Sequence, residues 1–65
     1  MKLGTYKHFK GTTYEVIAIG KHSETMEELV IYKNQNNDVW VRPKEMFSDN
    51  VKKENYEGPR FKFIE

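Results

Sequence analysis

No continuous apolar run in this chain of 65 residues is longer than four. The two longest are residues 16–19, Val-Ile-Ala-Ile, and residues 29–32, Leu-Val-Ile-Tyr, separated by polar side chains and by Gly20. Runs of that length, dense in β-branched and aromatic residues, suit strands. They fall far short of the roughly 20 residues that a membrane-spanning helix requires. The chain is therefore expected to be all-β and to make no use of a membrane.

Length sharpens the constraint. A chain this short is one domain, residues 1–65, and buries only about 60% of its unfolded surface. Its core must be built from large side chains, and nine aromatics (four Tyr, four Phe and Trp40) are the obvious supply. There is no cysteine, which excludes disulfides and thiolate metal sites and suits a reducing compartment. Met1-Lys2-Leu3-Gly4 leads into a polar-aromatic segment without the apolar stretch of an export signal. A cytoplasmic location is the expectation.

Alternation places the strands. Residues 4–9 alternate, Lys10-Gly11 supplies a tight turn, and residues 12–19 follow as a second strand. In that strand Tyr14, Val16 and Ala18 are expected on one face and Glu15, Ile17 and Ile19 on the other. Residues 20–27 lose the pattern and read as a loop. Residues 28–33 form a third strand, Asn34-Gln35-Asn36-Asn37-Asp38 a run of turn formers, and residues 39–42 a short return strand. Pro43 ends it and opens one helical turn that closes on Met46 and Phe47. Residues 48–58 are polar, with only Val51 and Tyr56 as apolar anchors, and read as a loop. Gly58-Pro59 marks a turn before a last strand at residues 61–64. The expected fold is a small five-stranded SH3-like partly open barrel, with one short helical turn before the last strand, and the alternative is a curved sheet covered by a short helix.

Several separated motifs also carry a resemblance. They are Gly4-x-Tyr6-x-His8-x-Lys10-Gly11, Tyr14-x-Val16, His22-Ser23-Glu24-Thr25 and Glu28-Leu29-Val30-x-Tyr32, then Trp40-Val41-Arg42-Pro43, Met46-Phe47 and Pro59-Arg60-Phe61. In these the chain resembles the small bacterial family catalogued as domain of unknown function 1653. The resemblance implies an SH3-type barrel and no established activity. The chain departs from the family in the loop between Tyr32 and Trp40, which is Asn-rich here and more often contains glycine there.

Candidate functional residues concentrate between residues 21 and 47. His22-Ser23-Glu24-Thr25 packs four hydrogen-bonding side chains into one loop. An imidazole beside a carboxylate can share a proton or hold a polar ligand, but such side chains in turns more often bond their own backbone. A hydrolase or transferase built on His22 would also need an oriented nucleophile and an oxyanion site, which adjacency in sequence does not supply. No catalytic residue is assigned. With only His8 and His22 and no thiolate, no metal site and no cofactor is expected.

Trp40 and Arg42 share one strand face. Placed outside, they form an aromatic–cationic pair able to stack a ring or grip an anion. Placed inside, Trp40 is the main core residue and the Arg42 guanidinium emerges at the rim, paired with Glu24 or Glu45. The need for aromatic burial in so small a domain favours the inside.

A third composition, Tyr6, Tyr14 and Tyr32 interleaved with Lys7, Lys10 and Lys33, resembles a stacking surface for single-stranded nucleic acid. Net charge is only +1. It divides as +3 over residues 1–22, −3 over residues 23–50 and +1 over residues 51–65. That balance supplies little phosphate attraction, so nucleic acid is possible but not favoured as a partner. The reading is a non-catalytic binding or adaptor module, with an unknown protein or small polar ligand held by His22, Glu24, Tyr32, Trp40 and Arg42.

Overall fold

The computed structural model describes residues 1–65. The five strands expected from alternation form one antiparallel sheet: β1 (Gly4–His8), β2 (Thr13–Lys21), β3 (Glu28–Lys33), β4 (Val39–Pro43) and the final strand β7 (Phe61–Phe63). Their order is β4-β3-β2-β1-β7, so β4 and β7 are the two edges and no closed barrel forms. The β1–β2 turn is drawn tight by the Gly11 amide donating to the His8 carbonyl at 2.8 Å, with Gly11 at a φ of 105° that its missing Cβ permits.

Residues 48–58 are not the loop expected from their polarity. They contain β5 (Asn50–Lys53) and most of β6 (Tyr56–Pro59), a separate two-stranded hairpin whose second strand takes in the Gly58-Pro59 pair expected as a turn. Of its residues only Val51 is buried, so the alternation that betrays a strand is almost absent. Backbone pairing, together with the exposed Lys52–Glu57 ion pair at 3.9 Å, shapes this hairpin.

Between β4 and β5 the helical turn is α1 (Lys44–Phe47). Pro43 stands outside it, with φ −55° and ψ 139°, as the last residue of β4 and the N-cap. The extended ψ lets one proline end the strand and aim the next turn. The Ser48 amide closes that turn on the Lys44 carbonyl at 2.9 Å.

One face of the sheet and α1 enclose the core, made of Tyr6, Val16, Val30, Tyr32, Phe47 and Phe61. Phe47 and Phe61 stack with centroids 4.2 Å apart and planes 2° from parallel. Tyr6 meets Phe47 edge-on at 5.3 Å, and Tyr32 meets it tilted at 5.4 Å. Each such pair adds about 0.5–1.5 kcal/mol beyond simple burial.

The expected faces of β2 hold only for its first half. Val16 pairs with Tyr32 but Ala18 pairs with Ile31, which leaves Ile17 as the extra residue of a β-bulge. A bulge of one residue reverses the alternation that follows it. Ile19 consequently packs on the core, while Ile17 and Ala18 are exposed.

Candidate ligand-binding groove

Strand register decides where the tryptophan goes. Trp40 lies opposite Tyr32, and Arg42 lies opposite Val30. Residues directly opposite on neighbouring strands share a face, so Trp40 and Arg42 take the core side of the sheet and Val39 and Val41 the outer side. β4 is an edge strand, however, and the packed cluster ends at Tyr32 one strand inward. Trp40 is 51% exposed, which corrects the expectation that it is the main core residue. Phe47 and Phe61 hold that position instead.

Trp40 and Arg42 line a shallow groove of about 240 Å³ together with Tyr14, Tyr32 and Asn34. Arg42 Nε donates to the Tyr32 hydroxyl at 3.4 Å, and its guanidinium carbon stands 5.7 Å from the centre of the Phe61 ring. Arg42 has no ion pair with Glu24 or Glu45. The four ion pairs of the protein are Glu15–Lys33, Glu28–Lys44, Lys52–Glu57 and Asp49–Arg60. Asn34 is largely committed to its turn: its Oδ1 accepts from the amides of Asn36 and Asp38 at 2.9 and 3.0 Å. The groove therefore offers aromatic rings and one guanidinium without a carboxylate partner.

Of the five residues expected to form a site, the structure brings together Tyr32, Trp40 and Arg42. His22 and Glu24 lie in the β2–β3 loop, beyond Glu28, at the opposite end of β3 from Tyr32. Four residues of strand separate those ends, about 13 Å. The His22 ring also has work within its own loop, since Nδ1 accepts from the amides of Glu24 at 3.1 Å and Thr25 at 3.4 Å. That is a side chain closing a turn. No group of three or more His, Cys, Asp or Glu side chains converges in a way that would hold a metal ion. The tyrosine surface suggested by composition is not presented to solvent either, because Tyr6 and Tyr32 are buried.

The family model described as "Protein of unknown function (DUF1653)" matches residues 4–63. The chain belongs to DUF1653. No curated protein matches it. It is similar to a protein of the same family from Bordetella bronchiseptica whose crystal structure is known: the TM-score is 0.89 and identity 24%, over 98% of this chain and 87% of that one. At that identity the likeness establishes the shared fold. No helix of this DUF1653 chain is long and apolar enough to cross a membrane.

Phe61 and His8 were not expected as site residues, and neither lines the groove. Phe61 is met edge-on by His8 at 5.0 Å and by Tyr14 at 5.7 Å, and the Arg42 guanidinium lies over it. Burial lowers the pKa of His8 below its ordinary value of 6.5, and the charges of Arg60, Lys10 and Arg42 lower it further. The folded state of this DUF1653 protein thus holds His8 neutral where the unfolded chain would take up a proton. Protonation favours unfolding, so the His8 contribution to stability is lost as pH falls from about 6.5 towards the depressed value. NMR titration should show His8 protonating below 6.5, and His8→Gln should flatten the loss of stability in that window. A His8 midpoint at or above 6.5 would contradict the geometry.

Proposed function

We propose that this DUF1653 protein is a non-catalytic binding module, an SH3-like partly open barrel working in the cytoplasm. Its ligand presents a flat or proline-type ring next to a carboxylate or phosphate. The observation that carries this reading is Arg42: a guanidinium without a carboxylate partner, in a groove whose other walls include Tyr14, Tyr32 and Trp40. A ring stacks on the exposed tryptophan, and the planar fork of Arg42 takes the anion. The ligand class is a protein segment or a small polar molecule. Catalysis around His22 is the weaker reading, since that ring is bonded to its own loop.

Trp40 is the only tryptophan and is half exposed, so its emission reports on the groove directly. Titration with phenylacetate, adenosine monophosphate and an acidic proline-rich peptide should give a saturable change with at least one probe. Arg42→Gln should weaken that response tenfold or more, since hydrogen bonds to a charged group contribute about 1.5–3 kcal/mol. Silence with all three probes, or unchanged affinity in Arg42→Gln, would remove the basis for the proposal.

A further inference from the structure

Six lysines take no part in an ion pair: Lys2, Lys7, Lys10, Lys21, Lys53 and Lys62. Three of them, Lys7, Lys10 and Lys62, stand at one concavity at the β1–β7 edge, which shares no lining residue with the Trp40 groove. Lys7 and Lys62 line this concavity, of about 490 Å³, and face each other directly across the β1–β7 pair. Lys10 Nζ lies 5.9 Å from the ring of Phe9. Phe9 and Tyr56 are themselves lining residues, and no Asp or Glu joins them.

Two features give this face its chemistry. Like charges set directly opposite on paired strands destabilise a sheet, and an anion between Lys7 and Lys62 relieves that repulsion. Beside them runs an ordered stack of rings: Phe9 lies between His8, at 4.6 Å and 30°, and Tyr56, at 5.4 Å and 14°. Lysines beside aromatic faces match a chain of phosphates carrying flat bases. A duplex keeps its bases stacked on one another, so the match is to a single strand.

We infer that the β1–β7 edge is a binding site for single-stranded nucleic acid, with Lys7, Lys10 and Lys62 on phosphates and bases against the Phe9–Tyr56 stack. The site is independent of the Trp40 groove. Its charge is local: the basic segment 1–22 and the basic tail become one face because β1 pairs with β7. A net charge of +1 for the whole chain conceals this.

Fluorescence anisotropy with labelled oligouridine and oligothymidine about ten nucleotides long, within the span one small barrel covers, tests the site. Three lysine–phosphate contacts at about −0.7 each predict a slope near −2 for log affinity against log salt, hence a roughly hundredfold loss from about 20 to 200 mM. Lys7→Gln/Lys62→Gln should reduce the slope to about −0.7. Lys21→Gln/Lys33→Gln removes the same charge elsewhere and should behave as wild type. Should the first pair fail to fold by circular dichroism, Lys62→Gln alone is expected to reduce the slope by about 0.7. No binding at the lowest salt would overturn the inference, and so would equal losses in the two pairs. Equal affinity for a duplex, or uridine monophosphate competing as well as the strand, would overturn it too.

Discussion

Phe47→Ala is expected to leave the protein largely unfolded at room temperature, whereas Trp40→Ala is expected to fold. The single core of a chain this short seldom supplies more than about 3–5 kcal/mol of net stability. Truncating a buried phenylalanine to alanine costs about 3–5 kcal/mol. Phe47 is 1% exposed, and its ring touches Phe61, Tyr6 and Tyr32, so little can relax to fill the space it leaves. Trp40 keeps half of its surface in water. Its removal should cost about 1–2 kcal/mol, the share left when only part of a large side chain is desolvated. Urea unfolding followed by far-ultraviolet circular dichroism compares the two. A Phe47→Ala midpoint near wild type, or collapse in Trp40→Ala alone, would mean that the core lies elsewhere.

Gly4→Ala is expected to cost more than about 2 kcal/mol, a large loss for a residue at the start of an edge-proximal strand. Gly4 has a φ of 136°, where an L side chain is strained by about 1–3 kcal/mol. An added Cβ would also stand 2.5 Å from the Glu65 carbonyl oxygen and 3.1 Å from the Phe63 ring. The nearest of these is backbone and is itself tied down: the Thr5 amide donates to the Glu65 carbonyl at 2.7 Å, and the Ile64 amide donates to the Thr5 carbonyl at 2.8 Å. The clash should therefore push residues 64 and 65 away from β1. Hydrogen exchange should show lost protection at Thr5 and Ile64 together with the drop in stability. A stable variant with both amides still protected would show that the chain accommodates the methyl group.

Much of the fold was legible because alternation and turn chemistry are local. Glu28–Lys33 emerges at its sequence-derived bounds, and the Asn-rich turn closes as expected, with Asn37 at a φ of 66°. The β5–β6 hairpin was not legible, since backbone pairing shapes it and a polar sequence carries no trace of that. The phase change in β2 was also hidden: nothing in Val16-Ile17-Ala18 announces which residue will be the bulge, yet it decides that Ile19 faces the core.

The candidate sites divide along the same line. Tyr32, Trp40 and Arg42 could be grouped from sequence because they lie on consecutive paired strands. His22 and Glu24 belong to the far end of β3, a separation set by register. The lysine face was invisible, as its members come from both ends of the chain. By itself the sequence determined an all-β fold, five of its seven strands, the turns between the first four of them and a core rich in aromatic rings, all consequences of short-range sterics and side-chain alternation. Only the tertiary structure decided which aromatics are buried and which charges become neighbours. Strand order and register set those distances, and they depend on pairings between residues far apart in the chain.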